Sequence, residues 1–536
     1  MTPAEAGPRE LSHYVIPAPA QFDSTGGGFA LRPGTPIEYT APAVASLVER
    51  FCSDVARCTG LRLAPLAGTA GPGEPAVRIE LVAGGELGVL PAPLGISPAA
   101  GGPPDERHWL AIDAGEAVLR AVEPAGVARG LTTLVQLLAA APDSRAGAAW
   151  LPGARILDAP RYAWRGLSID LARAFFTLDE VRRVIDLLAL YKLNVLHVHL
   201  TDDESWRLPI GWPGPGAPPG AACYRADDLR ALVAYAADRY VTVVPEVDTP
   251  GHTSALVDMR PELNTGRNTA GFELPPGHLH QAVWLDPELP ATFQVVEDVL
   301  AGVADIFPSL YLHIGGDEPR GMPHDLYAAY VRRVRDVVRT IGRRALGWQE
   351  SARAGLGVDD IIQYWLTEFA APASLPPEVR AQMDEELAMS RRDVRAAVAA
   401  SVPVIVSPLS HCYLDVPYAE PSADPGQADR QGRTGLRVYS PMTVEESFGW
   451  DPAGVLGPGR AAQVAGVEAA IWAETITGFD DLSFLLLPRL PGVAHKAWSG
   501  GPPAAWAGHR DRLARHGRLW AQDGLTYFRT STVNWP

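Results

Sequence analysis

From Ala159-Pro160 onward the sequence alternates between two patterns. Eight short apolar runs of strand character stand in order: AWRGLSIDLA, NVLHVHL, VTVVPEVD, YLHIGGDE, RALGWQE, DIIQYW, PVIVSP and VAGVEAAIWAE. Amphipathic segments such as LDEVRRVIDLLALYKL and DDLRALVAYAADRY lie between several of them. Strand-like runs alternating with segments of helical period read as βα units, which set successive strands parallel in one sheet. Eight such units predict an α/β fold with a closed (β/α)8 TIM barrel over residues 158–505. The helices after the fifth and seventh strands are expected to be short or irregular. Long Gly/Pro-rich loops, GWPGPGAPPG and YAEPSADPGQADRQGRTG, follow strands two and seven, where such a barrel builds its rim.

The preceding residues, 1–157, read differently. Short strands and at least two helices, broken by clusters such as AGTAGPGEPA, predict a smaller α+β domain, an antiparallel sheet with helices. The stretch ARGLTTLVQLLAAA has apolar residues at helical spacing and is expected to pack on that sheet. Residues 506–536 are expected to form a helical tail against the barrel. A charge of −16 argues against a nucleic-acid partner, and no run of 18 uncharged apolar residues offers a membrane span. The N-terminus lacks the basic start and apolar centre of a secretory signal, so a cytoplasmic location is the expectation. Four cysteines, none in a metal-binding spacing, are expected as free thiols.

The polar residues follow the barrel geometry. Chemistry gathers at the C-terminal ends of barrel strands. Those ends here carry Asp170 and Arg173; His199, Asp202 and Asp203; Glu246, Asp248 and His252; then Asp317 and Glu318. Trp348, Trp365, Tyr413 with Asp415, and Trp472 with Glu474 follow. Aromatic faces among carboxylates suit a sugar, whose ring stacks while its hydroxyls donate hydrogen bonds.

Asp317 and Glu318 are neighbours in the chain, which poses a chemical problem. Ordinary glycosidases hold two carboxyls on either side of the scissile bond, about 5–5.5 Å apart for retention and roughly 6.5–9.5 Å for inversion. Consecutive residues on one strand end do not easily reach opposite faces of a sugar. A 2-acetamido substrate removes the problem, because its own carbonyl oxygen can attack the anomeric carbon while the second acid orients it.

The motif HIGGDE, His313 to Glu318, together with PRYAWRGLSIDLARAFF, YKLNVLHVHLTDDESWR, VVPEVDTPGH, GWQE, QYW, YLD and GVEAAIWAET, resembles glycoside hydrolase family 20, the β-N-acetylhexosaminidases. The resemblance covers most of residues 160–500. It implies an exo-acting, retaining enzyme that removes terminal N-acetylhexosamines through an oxazolinium intermediate, with no cofactor and no metal, and a small carbohydrate as its partner. It implies that Glu318 is the general acid and base, with a pKa raised by Asp317 and partial burial. Asp317 would hold the acetamide nitrogen and Tyr413 the acetamide oxygen. Trp348, Trp365 and Trp450 would wall the acetamide pocket, and Trp472 would be the stacking platform. Arg173, Asp415 and Glu474 would bind hydroxyls, and Asp202 with His252 would support the acid. The chain departs from the family pattern at Ala174, Glu204, Gln349 and His495. Two other readings compete. His197 and His199, an HxH pair facing one way on a strand, could join His252, His313 and Asp317 around a divalent metal. A catalytically inactive sugar-binding protein would be expected to have lost Asp317 or Glu318, and both are present.

Overall fold

The computed structural model describes residues 14–69, 71, 74–140, 147–212, 222–274, 278–367, 376–499 and 506–535. The N-terminal leader question and most of GWPGPGAPPG lie outside the described residues.

The first domain is one seven-stranded sheet. Its strands are β1 (Gln21–Leu31), β2 (Pro36–Tyr39), β3 (Ala64–Ala67), β4 (Ala76–Leu81), β5 (His108–Asp113), β6 (Glu116–Ala121) and β7 (Ala149–Asp158), in spatial order β1-β7-β5-β6-β4-β2-β3. The half containing β1, β7, β5 and β6 is antiparallel, as the sequence suggests, whereas β6, β4, β2 and β3 run parallel. The parallel half becomes possible because the helix Ala45–Thr59 carries the chain from β2 back to β3. That helix buries Leu47, Val48, Phe51 and Val55 and stops at Gly60, whose φ of +75° is the left-handed turn a C-terminal glycine supplies. The expected helix spans Pro124–Ala140 and lies on β5, β6 and β7.

Each of the eight predicted runs forms a barrel strand. These are β8 (Trp164–Asp170), β9 (Val195–His199), β10 (Thr242–Glu246), β13 (Tyr311–His313), β14 (Arg344–Trp348), β15 (Ile361–Tyr364), β16 (Val404–Val406) and β17 (Val464–Ile471). All pair in parallel, and β17 closes onto β8. A small hairpin, β11 (Thr269–Leu274) and β12 (His278–Val283), is inserted after β10. The first barrel helix, Leu178–Leu190, starts with a capping box in which the Thr177 hydroxyl accepts from the Glu180 amide at 3.3 Å, and it buries Val181, Val184, Ile185 and Leu188. After β14 there is only the 3-10 turn Gln349–Ala354, and after β16 a long excursion carries three short helices, Leu409–Cys412, Ala428–Arg433 and Val444–Phe448.

The floor of the barrel is apolar, with one residue from every strand: Trp164, Val195, Val244, Tyr311, Leu346, Ile361, Ile405 and Ala465. The level above is polar. Glu468 accepts from Trp164 Nε1 at 2.7 Å and from Gln363 Nε2 at 2.9 Å, and it pairs with His197 Nδ1 at 2.9 Å. Such full pairing is what a buried carboxylate requires.

Buried polar groups also join the two domains. Glu106 bridges Arg129 at 2.7 Å and Arg165 at 2.7 Å, and Asp158 accepts from Lys192 Nζ at 2.7 Å and from Trp498 Nε1 at 2.9 Å. In the C-terminal helix Trp506–Gln522, Trp520 Nε1 donates to the Tyr191 hydroxyl at 2.6 Å. That hydroxyl lies 3.0 Å from His516 Nδ1, and His516 Nε2 lies 3.2 Å from the Tyr14 carbonyl. Four histidines at these seams are buried and neutral. Burial pushes His108 and His516 down to about 4 and His495 to about 3, and it holds His509 well below its usual range. Between pH 6.5 and about 4 the unfolded chain binds protons at these positions that the folded chain refuses. The stability these four histidines contribute is therefore full above pH 6.5 and falls as the pH drops through that window. Each histidine contributes about 1.4 kcal/mol per pH unit while it differs between the states. Replacing His516 by Gln should shrink the fall in urea midpoint from pH 7 to pH 5 relative to the wild type; an undiminished pH dependence would contradict it. All four cysteines are free, and no helix of the described residues is long and apolar enough to cross a membrane.

Candidate active site

The strand β13 ends at His313, and the chain then turns sharply through Gly315 and Gly316, whose φ values are +66° and +97°. A Cβ on Gly315 would overlap the Asp248 carboxylate, so only glycine brings this turn against the end of β10. The Gly316 amide donates to Asp248 Oδ1 at 3.0 Å. Two non-glycine residues here also take left-handed backbones, Glu318 at φ +41° and His252 at φ +53°. Such conformations persist where surrounding structure imposes them.

Asp317 is buried and hydrogen-bonded to Asp248. Two carboxyls so close do not both ionise readily. Burial, reinforced by Asp248, holds Asp317 well above the usual carboxylate range. Burial lifts Asp248 to about 7, with Glu246 adding to the effect against the pull of His252. Glu318 behaves in the opposite way to the sequence expectation. Burial acts to raise it, but Arg320 and then His252 outweigh burial and hold it below its ordinary value. Arg320 Nη2 lies 2.9 Å from Glu318 Oε1, and His252 Nε2 lies 4.0 Å from Oε2. Of the neighbouring pair, Asp317 is therefore the carboxyl with the raised pKa.

His252 links this pair to the rest of the floor. Its Nδ1 lies 3.0 Å from Asp202 Oδ1, and its Nε2 lies 3.7 Å from Asp317 Oδ2. Asp202 Oδ2 also meets His199 Nε2 at 2.8 Å and Arg173 Nη2 at 2.7 Å. Arg173 is ringed further by Asp170 at 3.0 Å, Glu204 at 3.4 Å and Glu474 at 3.8 Å, with Trp472 beneath it at 5.6 Å.

The aromatic wall stands beside these acids. Trp348 and Trp472 are 6.0 Å apart, Trp365 stacks on Tyr413 at 5.8 Å, and Tyr413 meets Trp472 at 6.1 Å. Tyr439 closes the group, edge-on to Tyr413 at 6.4 Å. Asp317 Oδ1 and Asp415 Oδ2 are buried and accept no hydrogen bond from the described residues. Burial, with Glu474 nearby, raises Asp415 well above the carboxylate range, and burial raises Glu474 as well.

The structure thus gathers Arg173, Asp202, His252, Asp317, Glu318, Trp348, Trp365, Tyr413, Asp415, Trp472 and Glu474 at one end of the barrel. It places Trp450 elsewhere. Asp451, next in the chain, pairs with Arg161 at 2.9 Å, at the N-terminal end of β8. Trp450 accordingly stacks on His411 at 5.5 Å and packs into the main core, away from the wall. Tyr439, on a loop without periodic signal, was not legible as a wall residue. The departures are accommodated locally. Gln349 Oε1 accepts from the Trp365 amide at 2.9 Å, and His495 Nδ1 accepts from the Ala18 amide at 3.4 Å. Ala174 packs half-buried against the main core.

The HxH pair is committed to carboxylates. His199 Nδ1 lies 2.6 Å from Glu246 Oε2 while its Nε2 meets Asp202, and His197 lies between Glu468 and Glu246. Ligand atoms of His197, Glu246 and His313 do approach within 4.8 Å of one another. His313 Nδ1 faces both the Gly315 amide at 3.1 Å and Glu246 Oε1 at 2.9 Å, and its Nε2 has no partner among the described residues. A separate cavity of about 410 Å³, between the N-terminal helices and the helix Leu178–Leu190, holds none of these residues.

A (β/α)8 barrel with adjacent carboxyls beside an acid-rimmed aromatic wall, all at the C-terminal ends of its strands, has the build of a glycoside hydrolase. The pattern of the glycosyl hydrolase family 20 catalytic domain matches residues 162–324 and 320–501, and that of the family's domain 2 matches residues 12–159. The chain belongs to glycoside hydrolase family 20. It is 34% identical to a β-N-acetylhexosaminidase of Cellulomonas fimi over 97% of both chains. Among solved structures it is similar to the Streptomyces plicatus N-acetyl-β-hexosaminidase in complex with Thio-NAglucal, with a TM-score of 0.79, 32% identity and 100% of both chains covered. The family 20 β-N-acetylhexosaminidase of Streptomyces coelicolor is similar at a TM-score of 0.78 and 32% identity, covering 99% of this chain and 100% of that one.

Proposed function

We propose that this protein is an exo-acting, retaining β-N-acetylhexosaminidase that removes terminal N-acetylhexosamine residues by substrate-assisted catalysis. The observation that carries this reading is the placement of Asp317 and Glu318. Both leave one strand end, and the Asp317 carboxyl carries an unpaired oxygen and acts on Tyr413, which packs with Trp348 and Trp365.

In this reading the acetamide sits among Trp348, Trp365 and Tyr413, with Asp317 accepting its N–H and the Tyr413 hydroxyl donating to its carbonyl oxygen. That oxygen attacks C1 as Glu318 protonates the departing glycosidic oxygen. A positive oxazolinium forms while Asp317, sharing a hydrogen bond with Asp248, carries negative charge beside it. A carboxylate that burial destabilises when alone gains most when a cation develops next to it, so the interaction strengthens towards the transition state. Glu318 then removes a proton from water, which attacks C1 from the face the aglycone left, and the configuration is retained. Trp472 offers its face to the sugar ring, and Arg173, Asp415 and Glu474 take the hydroxyls. Cytoplasmic action on small glycans is the location proposed.

Hydrolysis of a chromogenic β-N-acetylglucosaminide beside the matching β-glucoside, with and without EDTA, tests the reading. Cleavage of the acetamido substrate alone, unchanged by chelator, is expected. Equal cleavage of the plain glucoside would overturn acetamide participation, and loss of activity in EDTA would favour the metal reading.

A further inference from the structure

The position two residues after the candidate acid carries a cation that the reaction scheme does not use. We infer that Arg320, shared between Glu318 and Glu386, is a positioning residue that governs how readily Glu318 gives up its proton. The inference rests on Glu318 being the general acid.

The geometry is specific. Arg320 Nη2 lies 2.9 Å from Glu318 Oε1, while Nη1 lies 3.2 Å from Glu386 Oε1. The Arg320 amide donates to the Glu318 carbonyl at 2.6 Å, so the turn holds the guanidinium close to the carboxylate. Glu386 comes from another βα unit, on the helix Pro377–Ala399 that follows β15, and accepts from Gln382 Nε2 at 3.0 Å. Glu318 Oε2 faces His252 at 4.0 Å, so each carboxylate oxygen has a cationic or titratable partner. Asp317 adjoins it, and Arg173 and Tyr439 act on it from the strand-one and strand-seven sides.

A proton donor flanked by two cations favours its ionised form. Glu386 offsets one of them by competing for Arg320, and burial together with Glu318 raises Glu386 in turn. Removing the arginine and removing its competitor should therefore move Glu318 in opposite directions. A purely structural ion pair would not produce that signature.

The test is the pH dependence of kcat/KM, whose alkaline limb reports the acid of the free enzyme. Arg320→Gln is expected to move that limb to higher pH. On its far side kcat/KM would rise by on the order of tenfold for each unit of displacement. Glu386→Gln is expected to move the limb to lower pH, and Arg320→Lys to return it towards the wild-type position. Coincident limbs for Arg320→Gln and wild type, or displacement of both glutamine variants in one direction, would overturn the inference. Glu318→Gln is measured alongside with a substrate of poor leaving group. If that variant keeps wild-type activity, the assignment of the acid itself has failed. If it loses activity while the limbs stay fixed, only the role of Arg320 has failed.

Discussion

Glu318→Gln is expected to lower kcat/KM by about 10²–10⁴-fold on a β-N-acetylglucosaminide whose aglycone is a sugar or an alcohol, the range one positioned general acid contributes. The same variant should lose far less on an aryl substrate with an acidic phenol, because that oxygen departs without needing a proton. The contrast matters more than either rate. An amide is close in size to the carboxyl and preserves the turn after Gly316, so a uniform loss on both substrates would indicate damaged binding and would contradict the assignment. Asp317→Asn, measured on the same pair, should lose activity on both. In the proposed mechanism its role precedes the leaving group: it orients the nucleophilic acetamide and balances the charge on the oxazolinium, and neither function depends on how acidic the aglycone is.

The largest effect on stability is expected from Glu246→Ala. Glu246 Oε1 accepts from Trp348 Nε1 at 2.9 Å and lies 2.9 Å from His313 Nδ1, while Oε2 lies 2.6 Å from His199 Nδ1 and 3.2 Å from His197 Nε2. Burial opposes its charge, but His313, His199 and His197 hold it well below the carboxylate range. Burial opposes protonation of His197 too, yet Glu246 and Glu468 raise it to about 9. Deleting the carboxylate leaves the His197 and His199 imidazoles buried with half their compensation, a change that costs about 3–5 kcal/mol for a broken buried pair. A lower urea midpoint would show it. The Trp348 indole also loses the acceptor that aims it at the acetamide wall, so kcat/KM on the acetamido substrate should fall in whatever fraction stays folded. An unchanged midpoint would mean that the histidines discharge without cost, and it would remove Glu246 as the centre of this network.

The eight strands were readable because βα alternation is a local signal, set by the period of apolar residues along each segment and by the turns that bound it. Once the barrel is inferred, the placement rule for its chemistry marks Arg173, Asp202, His252, Asp317, Glu318, Trp348, Trp365, Tyr413, Asp415, Trp472 and Glu474, because each stands at or just beyond a strand's C-terminal end. Those conclusions need no knowledge of how long loops travel. Others do. Trp450 and Tyr439 both lie on the excursion between β16 and β17, and only their contacts, with His411 and the main core for the tryptophan and with Tyr413 for the tyrosine, keep one out of the wall and bring the other into it. The acidity of Glu318 likewise depends on Arg320, two residues on, and on Glu386, whose helix belongs to a different repeat. Charge interacts through space over distances that sequence spacing does not encode, and the balance of burial against paired charge appears only when every neighbour is in place. The sequence by itself therefore determined the barrel, the family and the ring of candidate residues. The tertiary structure alone decided which aromatic closes the wall, and which of two adjacent carboxyls has its pKa raised.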